Sequence, residues 1–152
     1  MEARLDDLDR RILRLFAEDP HIGVLGASRR LGVARGTVQA RLDRLHDTGV
    51  IASFAPTLEP AAMGYPVTAF LTLEIRQADG HEPVVAHLQT VPEVLEAHTI
   101  TGAGDIWVRV VARDNADLQR VIDEVTDDEH VQRTSTVVAL ATRLPYRTLP
   151  LV

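Results

Sequence analysis

The chain of 152 residues has no cysteine and no lysine, and all sixteen of its basic residues are arginine. Without cysteine there is no disulfide frame, no thiolate zinc site and no thiol nucleophile, so stability must come from packing. Long hydrophobic runs are also missing. No stretch approaches the roughly 18 uninterrupted apolar residues of a membrane helix. The start Met1-Glu2-Ala3-Arg4-Leu5-Asp6 has neither a basic n-region nor an apolar h-region, so the expectation is a cytoplasmic protein with no membrane partner. The six histidines, at 21, 46, 81, 87, 98 and 130, show neither HExxH nor i,i+4 pairing, and no metal site is expected. Ser28, Ser53 and Ser135 lack a nucleophile elbow, and there is no Walker or kinase pattern. No catalytic residue and no cofactor are expected.

What is present is ordinary globular composition, 45% hydrophobic and 25% charged. The length suits one medium domain or two small ones, and small domains often lean on a partner surface. The net charge of −6 is unevenly distributed. Residues 1–60 carry 9 Arg against 9 Asp and Glu, whereas 61–152 carry 7 against 13. Within 29–44, Arg29, Arg30, Arg35, Arg41 and Arg44 stand against Asp43 alone, a local charge of 5 − 1 = +4. An acidic protein with one basic patch can still meet an anion.

Leu5, Leu8, Ile12, Leu15 and Phe16 recur at helical spacing after Asp6, an N-cap with Asp9 three residues on, and the pattern stops before Pro20. A second helix is predicted over 24–31 ending at Gly32, and a third over 35–47 with Val38, Leu42 and Leu45 inward and Gly49 as its C-cap. Residues 49–54 read as a short extended piece, and Pro56, Pro60, Gly64 and Pro66 mark a connector. Beyond it, Val67, Ala69, Leu71, Leu73 and Ile75 alternate with polar neighbours and Phe70, as in a strand. A helix over 82–91, a hairpin of 94–101 and 105–113 turning at Gly102-Ala103-Gly104, a helix over 115–126 and a strand over 131–143 complete a β-α-β-β-α-β order. The expected fold class is α+β, with a (winged) helix-turn-helix domain at 1–54, a linker at 55–65 and a ferredoxin-like βαββαβ domain at 66–152.

Two helices joined at Leu31-Gly32-Val33-Ala34 match the plan in which the second helix enters the major groove of double-stranded DNA. Arg35, Thr37 and Gln39 suit base edges, and Gly36 and Ala40 leave room for close approach. At about 100° per residue, Gly36, Gln39, Ala40 and Asp43 point most directly away from the buried row. Arg41 lies on the flank, suited to a phosphate or an internal pair, and Arg29, Arg30 and Arg44 are phosphate candidates. Periodicity alone is equally served by a three-helix core with an arginine-decorated surface.

Leu5-Asp6-Asp7-Leu8-Asp9-Arg10-Arg11-Ile12-Leu13, then Leu31-Gly32-Val33-Ala34, Thr37 to Leu45 with Val38 and Arg41, Gly49-Val50-Ile51 and Thr101-Gly102-Ala103-Gly104-Asp105 resemble, in order and spacing, the Lrp/AsnC regulators. The resemblance covers nearly the whole chain. Two positions depart from it: Gly26-Ala27-Ser28 replaces the usual E-L-A centre, and Ala34 stands where a capping Ser is common. The resemblance implies a transcriptional regulator, with an effector, usually an amino acid, bound near Thr101, Gly102, Ala103, Gly104 and Asp105 between protomers. Glycines there let a ligand reach backbone amides, and Asp105 either faces an ammonium or only pins the hairpin. Thr134 and Thr136 are weaker candidates for added hydroxyls. Gly102-Ala103-Gly104 joins two strands, so it is no dinucleotide fingerprint. A homo-oligomer is expected through the sheet face bearing Phe70, Trp107 and Val111, which no helix covers. The alternatives are an effector-free architectural DNA protein and an enzyme similar to the sirohaem decarboxylases.

Overall fold

The computed structural model describes residues 4–76, 78 and 80–152, in two units. One holds the chain up to Thr57 together with Leu144–Val152, the other Leu58–Arg143. Residues 1–3 of the expected first domain lie outside the described residues.

The first unit is built from α1 (Asp7–Glu18), α2 (Gly23–Leu31) and α3 (Arg35–Asp47). Asp6 caps α1 by accepting the Asp9 N–H at 2.9 Å, and Asp9 returns the bond to the Asp6 N–H at 3.0 Å. This reciprocal capping box satisfies two of the donors that a helix start leaves open. Ile12 and Leu15 pack with Ala27, Val38 and Leu42 in a core flanked by Leu8, Phe16 and Leu31. Gly32, in the left-handed region at φ +71°, ends α2 and turns the chain into α3. Ala34 is the N-cap of α3 and offers no side-chain bond to its open amides; Ala in this place forgoes about 1 kcal/mol. The C-cap of α3 is Thr48, with Gly49 following at φ +74°, one residue from the expected cap. The extended piece expected over 49–54 forms no strand, so no wing is built there.

Among the described residues, three ion pairs join α3 to the start of α1. The Asp9 carboxylate is only 1% exposed and faces Arg44 Nη2 at 2.6 Å and Arg41 Nη1 at 3.0 Å, while Arg41 also pairs with Asp6. Burial pushes the Asp9 carboxyl up, but Arg44, the Asp6 N–H and Arg41 outweigh it and hold it at about 2.

The second unit follows the βαββαβ order: β1 (Val67–Ile75), α4 (Glu82–Leu88), β2 (Val94–Thr99), β3 (Ile106–Ala112), α5 (Asn115–Thr126) and β4 (Val131–Val138). The sheet is antiparallel in the order β2-β3-β1-β4. Ala69, Leu71, Leu73 and Ile75 of β1 and Ile106, Val108, Val110 and Ala112 of β3 form one core with Val84 and Leu88 of α4 and Leu118, Val121 and Val125 of α5. Period two in the strands thus meets helical period on one side of the sheet. The start of α5 repeats the device of α1. Asp114 caps the Asp117 N–H at 2.8 Å, and the buried Asp117 carboxylate takes the Arg113 N–H at 2.9 Å and the guanidinium groups of Arg113 and Arg120.

Three expected boundaries shift for local reasons. α4 stops at Leu88, not Val91, because Val91 precedes Pro92 and that position disfavours helix. β4 ends at Val138, not Arg143: its ladder runs against β1, the last bond goes from Ala139 N–H to Thr68 O at 2.9 Å, and Pro66 has no donor to extend it. Leu144–Val152, expected in the sheet domain, group instead with the helical unit, where Arg14 donates to the Val152 carbonyl at 2.5 Å. Among the described residues no helix is long and apolar enough to cross a membrane.

The folded-state pKa of Asp9 lies below its ordinary 3.8, so its contribution to stability is complete above about pH 4 and is lost as pH falls through about 2. Asp9→Asn is therefore expected to destabilise the helical unit by about 2 kcal/mol at pH 7 and to flatten its melting temperature between pH 4 and 2. Circular-dichroism melts of both proteins across that range check it; parallel pH profiles would contradict it.

Candidate nucleic-acid interface and effector loop

Because Val38, Leu42 and Leu45 are buried, α3 turns Arg35, Gly36, Thr37, Gln39, Ala40 and Asp43 to solvent. A Cβ added at Gly36 would meet nothing within 4 Å, so this stretch of backbone lies open to a closely approaching surface. Arg29 and Arg30, at the end of α2, are exposed beside it. Arg30 stands 4.0 Å from the exposed Asp19, a separation at which a surface pair contributes little. Arg29 and Arg35 make no ion pair among the described residues.

The five arginines of 29–44 therefore separate into two groups. Arg29, Arg30 and Arg35 present their charge outward, whereas Arg41 and Arg44 face Asp6 and Asp9. The internal pair foreseen as one option for Arg41 is formed. Arg44, expected as a phosphate contact, is placed against Asp9 instead; periodicity within α3 carries no information about an acid supplied by α1. Gln39 Nε2 donates to Asp43 Oδ1 at 2.8 Å, a bond that i,i+4 spacing permits but does not require.

In the second unit, Thr101–Asp105 joins β2 to β3. Asp105 is tied to β1 at two points, its N–H donating to Leu73 O at 2.8 Å and its Oδ2 accepting the Ile75 N–H at 2.8 Å, and its carbonyl accepts the N–H of Ile100, just past β2, at 2.9 Å. The carboxylate thus occupies the pinning position at the β1 bulge between Glu74 and Ile75. Gly104 is needed for this approach, since a Cβ there would lie 2.3 Å from Thr72 Cγ2 and 3.3 Å from Leu73 O. Thr101, Gly102 and Ala103 are exposed at the tip, with Gly102 at φ +114°. Thr134 pairs with Leu73 and Thr136 with Leu71, which puts both on the helix-covered side of the sheet. With β1 between β3 and β4, Thr134 stands two strand spacings, roughly 10 Å, from the β3 end of the loop. The threonines and the loop are not brought together.

On the other side of the sheet, Phe70 stacks on Trp107 with ring centroids 5.1 Å apart, and His98 leans on Trp107 at 5.8 Å. Phe70 is opposite Val137 of β4, which is 63% exposed and extends this apolar strip. The parity of β4 is set by its register with β1, so Val137 was not identifiable beforehand. Val111 shares this face but is 3% exposed and already covered, so it offers no free surface.

These features define a helix-turn-helix protein with a βαββαβ companion domain. The family model of the AsnC-type helix-turn-helix domain matches residues 5–46, and that of the Lrp/AsnC ligand binding domain matches 68–149. An uncharacterized HTH-type transcriptional regulator of Pyrococcus abyssi is 36% identical over 138 residues, spanning 90% of this chain and 87% of that one. The structure of Escherichia coli AsnC superposes with a TM-score of 0.89 at 26% identity, covering 97% and 100% of the two chains. The transcriptional regulator NMB0573 of Neisseria meningitidis, solved in complex with L-Met, superposes with a TM-score of 0.86 at 27% identity, covering 97% of each. The chain belongs to the Lrp/AsnC family. It is a transcriptional regulator, not an enzyme, and its helix-turn-helix domain is of the DNA-binding kind.

The close approach at Gly104 is directly testable. Gly104→Ala is expected to destabilise the sheet unit by about 1–3 kcal/mol, and Thr72→Ser, which removes the Cγ2 in its way, to restore most of that loss. Denaturant melts of the two single variants and the double variant measure the coupling; additive losses would contradict the contact.

Proposed function

We propose that this regulator reads a DNA sequence with α3, assembles through the uncovered sheet face and answers to a small zwitterion of the amino-acid class. The observation that carries the reading is the division of α3 into a buried apolar row and an exposed row of Arg35, Thr37 and Gln39 around the open Gly36 and Ala40. Arg carries paired donors that match the guanine edge, Gln a donor and an acceptor that match the adenine edge, and Thr can meet a thymine methyl. Arg29, Arg30 and Arg35 supply positive charge that no buried acid neutralises. Arg41 and Arg44 act at one remove, by fixing α3 on α1.

Support for assembly is the strip of Phe70, Trp107 and Val137 on a sheet face without a helix. Such a face is usual where an antiparallel sheet meets a second layer. Support for the effector is the exposed glycine loop together with L-Met in the Neisseria relative. The exposed backbone at Thr101, Gly102 and Ala103 meets the carboxylate of the ligand, while Asp105 holds the loop in shape. An effector bound between protomers alters DNA affinity only by favouring one arrangement of the paired recognition helices.

Gln39→Ala is expected to lose about 1–3 kcal/mol on a selected site and little on random duplex, measured by anisotropy titration. Equal losses on both would remove the base-reading role. Trp107→Glu should shift light-scattering mass at micromolar concentration toward the monomer; a wild-type protein already monomeric would refute assembly through this face. A thermal-shift screen of the twenty amino acids and their keto acids should give at least one stabilising ligand, since about 100 times Kd adds roughly 2.7 kcal/mol. No response at millimolar concentration, with DNA binding intact, would favour an architectural protein without effector.

A further inference from the structure

Asp43 is the one acid between residues 29 and 44, and it lies on the exposed row of α3, where a carboxylate opposes the approach of phosphate. The other acids that meet α3, Asp6 and Asp9, are paired with Arg41 and Arg44. Asp43 instead holds Gln39, taking a hydrogen bond from Nε2 at 2.8 Å.

We propose that Asp43 is a positioning residue that sets base choice by locking the Gln39 amide to read adenine, a reading that rests on α3 being the base-reading helix. A carboxylate only accepts hydrogen bonds, so the amide nitrogen must face Asp43, and the flipped amide would set oxygen against oxygen. One N–H of Gln39 is then held. The second N–H and Oε1 remain together as one donor and one acceptor, the complement of adenine N7 and its N6 amino group in the major groove. An amide free to turn can also aim both N–H groups at the O6 and N7 acceptors of guanine, which blurs the choice. The negative charge tolerated on this face thus exchanges some general affinity for discrimination between purines.

The same Gln-to-Asp bond, also at 2.8 Å and i,i+4, joins Gln119 to Asp123 on α5, in the sheet unit. Gln119–Asp123 is the built-in control for a bond that only stabilises its helix. The full chain and its variants are each used to select from a pool of double-stranded DNA randomised over the binding site, and base frequencies are read by sequencing, with a circular-dichroism melt of each variant. Gln39→Ala first identifies the position at which adenine preference depends on Gln39. At that position Asp43→Ala should reduce discrimination of adenine over guanine by about tenfold, with affinity for random duplex equal or higher. Asp43→Asn, whose amide can donate as well as accept and so tolerates either orientation of Gln39, should lose discrimination as Asp43→Ala does, and Asp123→Ala should leave it untouched. Unchanged adenine preference in Asp43→Ala would overturn the proposal, as would an equal loss in Asp123→Ala. A preference lost at a different base pair would overturn it in favour of direct contact by Asp43. If Gln39→Ala changes no position at all, it is the base-reading role of α3 that fails, and the proposal falls with it.

Discussion

The helical unit is organised around one buried carboxylate. Asp9 sits under α3 with two arginines and a backbone amide on its oxygens. An acid so placed and left unpaired would cost several kcal/mol, so the geometry of its partners is strongly constrained. Arg41 and Arg44 lie three residues apart on α3, hence on one flank, and their contact with α1 fixes the rotation of α3 about its own axis. The rest follows from that rotation: Val38, Leu42 and Leu45 turn into the core, and the polar row from Arg35 to Asp43 faces out.

The sheet unit applies the same chemistry to another task. Asp117, like Asp9, is the third residue of its helix after a capping Asp, and it too is buried against arginines. Arg113 and Arg120, with the backbone bond from Arg113, hold its carboxyl below the ordinary range. Here the tie joins the start of α5 to the end of β3, which seats one of the two helices on the sheet. That both helices share one side is what leaves the aromatic strip of Phe70 and Trp107 without a helical cover.

Much of the fold was legible because it rests on local rules. The α3 and α5 spans, the capping Asp6, the left-handed Gly32 and the alternation of β1 are written in spacing and residue type alone. Legibility failed wherever a residue's role depends on a partner far along the chain. Arg44 looked like a phosphate contact until Asp9, 35 residues earlier, claimed it. Thr134 and Thr136 looked available until the register with β1 turned them to the helix side. Asp105 was readable in both of its roles, and its bond to the Ile75 N–H supports the pin. The outward row of α3 was visible because a helix fixes orientation from periodicity, whereas the Gln39–Asp43 bond needed side-chain geometry.

The division of the arginines into an internal pair and an outward trio is the claim on which the nucleic-acid reading stands. It is tested most directly by the slope of log Kobs against log salt concentration for DNA binding, since each phosphate contact releases counterions and contributes about one unit. Arg29→Ala and Arg30→Ala should each reduce the slope by about one unit per protomer, and Arg44→Ala should leave it unchanged while lowering the melting temperature. A slope that falls for Arg44→Ala as it does for Arg29→Ala and Arg30→Ala, or that does not respond to those two, would contradict the account.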